Sequence, residues 1–198
     1  IMARTLGSRA EVTGPLIRAV ALRLFARHGY AAVSMRQIAA EVGVQVGTIY
    51  AYTEDKQALL ADLLHTHMEM ILAAWQDDPD AAPLVRLDRF VDFHIDMSLD
   101  HPDGVFLSYM ELRNLSPDNL ALITALRRRY ERGLQVILDA GVVSGQMRIE
   151  DTRLTRMALI GMLTSVTNWY RDGGRLDRDQ LHHYYRGLVR GAVGAVDR

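Results

Sequence analysis

The sequence predicts an all-α protein, on three observations. Apolar residues recur at helical spacing along most of the chain, helix-starting and helix-ending residues punctuate those runs, and no segment alternates as a strand would. There is also no internal repeat.

The first stripe, Ile17, Val20, Ala21, Leu24 and Phe25, steps by three and four residues. Pro15, after Thr13 and Gly14, suits the first position of that helix, and Gly29 after His28 suits its end. Ser34 and Gln37 have the spacing of a capping box, opening a short helix whose Ile38, Ala39 and Val42 face inward. Gly43 breaks that helix, and another runs from about Gln45 to Ala51. Asp55 can cap a long fourth helix with Leu59, Leu60, Leu63, Leu64, Met70 and Ile71 on its buried face, out to Trp75. Residues 77–83 read as a linker. Beyond it helices are expected near 84–100, 103–114, 117–140, 151–171 and 177–196.

The 198 residues are 49% hydrophobic and 24% charged, enough apolar content for a substantial core. With no cysteine, disulfides, thiolate metal sites and cysteine nucleophiles are excluded. No apolar leader and no run of ~20 apolar residues is present, so a cytoplasmic protein without a membrane partner is expected. His65 and His67 are two apart and His182 and His183 adjacent, so neither pair shares a helix face for a metal. No nucleotide-binding loop or nucleophile elbow appears either. No enzyme activity, cofactor or metal is expected. Net charge is −1, but residues 1–56 carry seven basic against four acidic residues, while the remainder carries 16 against 20. One end is basic and the body acidic, the distribution expected of a protein that meets nucleic acid at one end.

Residues 34–52 focus that expectation. A capped helix, a glycine turn and a short second helix make a helix-turn-helix. In the second helix only Val44 and Ile49 look like core anchors. Gln45, Thr48, Tyr50 and Tyr52 then offer an amide and three hydroxyls to bases and phosphates, and Val46 an apolar contact for a thymine methyl.

The run from Val44 to Lys56, with Gly47-Thr48-Ile49-Tyr50 at its centre, resembles the signature of TetR-type regulators. Upstream, Leu24-Phe25-Ala26-Arg27-His28-Gly29-Tyr30 and Val33-Ser34-Met35-Arg36-Gln37-Ile38-Ala39 resemble the same family's first helices; the likeness spans residues 16–60. It implies that Ser34, Thr48, Tyr50 and Lys56 meet phosphates and that Arg36 reaches a base. Gln45 and Val46 would help to select the operator, beside Gly47 and Tyr52. Lys56 is the sole lysine among 23 basic residues, which singles it out. Ala51 and Thr53 depart from the family pattern, where larger aromatics are usual.

The resemblance further implies two domains, residues 10–56 for DNA and 57–198 for ligand binding and dimerisation. Homodimer contacts are expected from Leu154, Ala158, Gly161 and Ser165 in one helix and from Leu181, Tyr184, Tyr185, Leu188, Val189 and Ala192 in the last. Candidate effector contacts are Phe93, Phe106, Tyr109, Met110, Arg113, Met162, Val166 and Trp169, adaptable or aromatic residues that would equally serve a plain core. Glu111 and Arg113, two apart, cannot share a helix face, so one of them should turn inward and need a partner. Residues 106–115, 127–130, 145–151 and 168–176 resemble the C-terminal domains of TetR-type regulators of lipid and sterol degradation, several of which respond to acyl-CoA thioesters. The expected function is a ligand-responsive regulator, a repressor that a small apolar or acyl-CoA-like effector releases from a palindromic operator on double-stranded DNA. A xenobiotic-responsive regulator of efflux and a helical protein-interaction module remain alternatives.

Overall fold

The structure, a computed structural model, describes residues 6–196, with side chains from Val12 onward. Among them every regular element is helical: α1 (Leu6–His28), α2 (Met35–Val42), α3 (Val46–Ile49), α4 (Lys56–Ala74), α5 (Pro83–Asp100), α6 (Pro102–Met110), a 3-10 turn (Leu112–Asn114), α7 (Pro117–Val143), α8 (Thr152–Thr164), α9 (Val166–Trp169) and α10 (Arg178–Ala192). No helix of the described residues is long and apolar enough to cross a membrane.

Pro15 does not start α1 but lies inside it. A proline there forgoes one backbone hydrogen bond and crowds the residue before it. That residue is Gly14, whose missing Cβ removes much of the clash. Two expected helices are interrupted. The one near 103–114 ends at Met110 before the 3-10 turn, and the one near 151–171 is broken at Ser165.

The chain divides into two compact units. Of the described residues, one takes those up to 69 together with 103–125, and the other takes 70–102 with those from 126 onward. In the first, Ile17, Ala21 and Phe25 of α1 are buried with Ile38, Ile49, Leu60, Leu64 and Leu107. Exposed ion pairs Arg23–Glu41 (2.6 Å) and Arg18–Asp62 (2.5 Å) tie α1 to α2 and α4.

In the second unit, Phe90, Val91, Leu134, Leu138, Leu163, Leu181 and Val189 are buried from α5, α7, α8 and α10. Phe90 sits among rings, 5.1 Å from Trp75 and 5.4 Å from Tyr130 between centroids. At this core His94 is buried, its two ring nitrogens 2.9 Å from the Tyr130 hydroxyl and 3.0 Å from that of Thr164. Residues 77–83 are more than a spacer, because Asp77 accepts two hydrogen bonds from the buried Arg86 guanidinium (3.0 and 2.6 Å).

A ladder of three arginine–aspartate ion pairs and one histidine–aspartate hydrogen bond joins α5 to α10. Asp88, Asp92, Asp96 and Asp100, each four residues on from the last, face Arg190, Arg186, His182 and Arg178 in reverse order. The nitrogen–oxygen distances are 2.6, 3.2, 2.9 and 2.6 Å.

Candidate nucleic-acid interface

The site is built by four local devices in sequence. Ser34 caps α2: its Oγ accepts from the Gln37 backbone N–H (3.3 Å), and Gln37 Oε1 accepts from the Ser34 N–H (2.7 Å). At the other end Gly43 is left-handed (φ +80°), a backbone state that disfavours any side chain. That turn lets the Gly43 and Val44 N–H groups reach back to Ala39 O, both at 3.0 Å. α3 then starts at Val46, its Thr48 N–H bonded to Gln45 O (2.9 Å), and Ile49 anchors it with no exposed surface. Finally Asp55 caps α4 by accepting from the Ala58 N–H (2.7 Å).

One buried anchor in so short a helix leaves its other residues outward. Gln45, Gly47, Thr48 and Tyr50 are exposed, with Ser34 and Arg36 on α2, and Val46 is half-buried. Tyr50 keeps 51% of its surface and Tyr52 38%. Tyr52 leans on α1, where a Cβ on Gly14 would come within 3.3 Å of its ring. At Gly47 an added Cβ would meet nothing within 4 Å, so this chain's own packing does not require glycine there.

Lys56, for which the resemblance implies a phosphate contact, also has partners within the chain. Its ammonium turns back and donates to Tyr30 O and Val33 O, both at 2.7 Å, 4.2 Å from the centre of the Tyr30 ring. Partial burial lowers its pKa from the ordinary lysine value, against the pull of the Glu111 carboxylate. Two of its three hydrogens thus hold the α1–α2 loop. The hydroxyl of Ser34 is likewise engaged in its cap.

Glu111, not Arg113, is the member of that pair that turns inward. It is 4% exposed, whereas Arg113 is exposed. The sequence requires one of them to be buried; of the partners of Glu111, Asn114 is three residues on, while the Tyr30 backbone N–H (3.2 Å) lies 81 residues away and leaves no signal.

The eight candidate effector residues separate by unit. Phe106, Tyr109 and Met110 stand exposed on α6, with Arg113 after them. In the other unit, Phe93 packs 5.1 Å from Trp75, Met162 is half-buried, and Trp169 stacks on Tyr185 (6.5 Å) with 48% of its surface free. Val166 has no exposed surface, so it packs the core instead of lining open space.

The expected dimer residues also divide. Leu181, Tyr185 and Val189 are 0–8% exposed and pack within their own chain, on the side of α10 that the ladder turns toward α5. Tyr184 and Leu188 keep 56% and 57% of their surface, and Leu154 63%, with Ala158, Gly161 and Ala192 exposed and Ser165 half-buried. An open groove of about 590 Å³ runs beside Tyr184, Gly187 and Leu188.

A capped helix, a left-handed glycine turn and a short helix with a single core anchor and a polar outer face together define a helix-turn-helix DNA-binding protein. The chain belongs to the TetR family of bacterial regulators. Residues 17–63 match the family described as "Bacterial regulatory proteins, tetR family", and residues 80–193 match "Tetracyclin repressor-like, C-terminal domain". It is similar to the HTH-type transcriptional repressor KstR2 of Mycobacterium tuberculosis, at 26% identity over 97% of this chain and 98% of that one. It is also similar to a fatty acid metabolism regulator protein of Bacillus subtilis, at 26% over 79% and 83%. Among solved structures, AibR in complex with isovaleryl coenzyme A and operator DNA shares the fold. Its TM-score is 0.82 at 23% identity, covering 93% of this chain and all of that one.

Proposed function

We propose that this regulator is a homodimeric repressor that binds a palindromic operator and is released from it by a small apolar or acyl-CoA-like effector. The carrying observation is the outer face of α3, where Gln45, Thr48 and Tyr50 stand exposed on a helix held by Ile49. In this reading Gln45, Val46 and Arg36 meet base edges, while Ser34, Gly47, Thr48, Tyr50 and Tyr52 meet the backbone. Lys56 acts chiefly by holding the loop that places Ser34, with one hydrogen left for a phosphate.

Two-fold symmetry is needed to read two half-sites. The exposed row on α8 and α10 supports it: at Gly161, Gly187 and Gly191 an added Cβ would meet nothing within 4 Å, so nothing in the chain itself asks for small residues there. A second copy packed on this face would. The acyl-CoA class is supported by the named role of the Bacillus relative and by the ligand in the AibR complex.

The test measures DNA release and ligand binding together. A labelled duplex enriched by the protein is titrated with CoA thioesters of graded chain length, and protein melting is followed in parallel. A thioester that frees the duplex and, at about a hundred times its Kd, stabilises the protein by about 2.7 kcal/mol supports the reading. A flat response to every chain length rejects the effector class and leaves DNA binding standing.

A further inference from the structure

The helix-turn-helix shares its compact unit with residues 103–125, which lie outside the DNA-binding match at 17–63. Four contacts hold that segment to the reader. The Tyr30 N–H donates to Glu111 Oε1 (3.2 Å), Gln57 donates to Asn114 O (2.7 Å) and accepts from the Ser116 N–H (3.1 Å), and His67 packs directly on Gly104, leaving no room for a Cβ.

Glu111 is the odd member of this set. A carboxylate at 4% exposure is costly unless its oxygens are used. Oε2 accepts from the Asn114 side-chain amide, and Oε1 takes the Tyr30 N–H beneath Gly29, where a Cβ would lie 3.6 Å away. Gly29 ends α1 in the left-handed region (φ +82°). The loop from Gly29 to Val33 is therefore gripped at both polarities: Glu111 holds an N–H while Lys56 holds the carbonyls of Tyr30 and Val33. The next residue is Ser34, which caps α2 and so sets where α2 and α3 point.

We propose that Glu111 is a positioning residue for operator binding, acting through the Gly29–Val33 loop without touching DNA. The inference rests on the DNA-binding reading above. Losing a charged hydrogen-bond partner frees the loop, and the cost falls on the bound state, which needs one placement of α2 and α3.

The test compares Glu111→Ala with Glu111→Gln in the full chain. The glutamine keeps an acceptor for the Tyr30 N–H, and Asn114 can turn its amide to present oxygen to the new NH2. Each protein is checked for its helical spectrum and melting. It is then titrated against a duplex that the wild type enriches from a random pool and against an unselected duplex, and backbone amide exchange is followed over residues 29–34. The expected result is that Glu111→Ala binds the selected duplex about tenfold more weakly, the unselected one within about twofold of wild type, and exchanges faster in the loop. Glu111→Gln should stay within about threefold of wild type in all three readouts. A folded Glu111→Ala that binds the selected duplex as wild type does, or a Glu111→Gln as defective as the alanine, overturns the proposal alone. A wild type that enriches no duplex overturns the operator reading, and the proposal falls with it.

Discussion

At the scale of single residues, His94 shows how burial becomes a pH dependence. Enclosed in the core, with both ring nitrogens engaged by hydroxyls, it resists protonation, and desolvation pushes its pKa down to about 4 from 6.5. A group whose folded pKa is depressed takes up protons more readily when unfolded. Its contribution is therefore complete above about pH 6.5 and is lost as pH falls through 4. Chemical denaturation at pH 7.5 and pH 4.5 should show wild type losing on the order of 2–3 kcal/mol more than His94→Gln over that interval. Equal losses would mean that His94 is not held neutral. The site residues were legible to different degrees. The Ser34 cap, the Gly43 turn and the exposed amide and hydroxyls of α3 follow from spacing alone. The inward turn of Lys56 does not, because its partners are backbone carbonyls, and any sequence supplies those.

At the scale of elements, helix placement was readable wherever a helix carries its own signal. The breaks at Met110 and Ser165 were missed because the apolar pattern continues through them. The α5–α10 ladder was missed for a different reason. Acidic residues four apart on one helix, and basic ones four apart on another, each look like an ordinary solvated face. Only folding brings Asp100 to Arg178 and Asp88 to Arg190, 78 and 102 residues on. A double-mutant cycle on Asp88→Ala and Arg190→Ala should return a coupling of about 1 kcal/mol, the half-buried bidentate pair lying at the upper end for such bridges. A coupling indistinguishable from zero would reduce the ladder to a surface coincidence. The caps can be tested in the same way: Ser34→Ala should cost about 1 kcal/mol of stability and weaken DNA binding as α2 frays.

At the scale of the whole molecule, the sequence motif and the compact units divide the chain differently. The motif suggests a cut near residue 56, whereas the unit holding the reader also takes in residues 103–125. No local pattern announces this, since the contacts of Glu111, Asn114 and Ser116 with Tyr30 and Gln57 are long-range. The proposed dimer is the other whole-molecule feature. Leu188→Asp, placed on the exposed face of α10, should shift the protein from a dimer to the 22.3 kDa monomer in sedimentation and abolish tight DNA binding while the melting of the chain itself changes little. A variant that remains dimeric would move the interface elsewhere.

Whether the outer face of α3 reads DNA as half of a symmetric pair is decided by sequencing the duplexes that wild-type protein retains from a random pool. The expected result is one enriched pseudo-palindrome with half-site centres about 10 bp apart or a multiple of that; a retained pool with the same composition as the input would mean that α3 reads no operator.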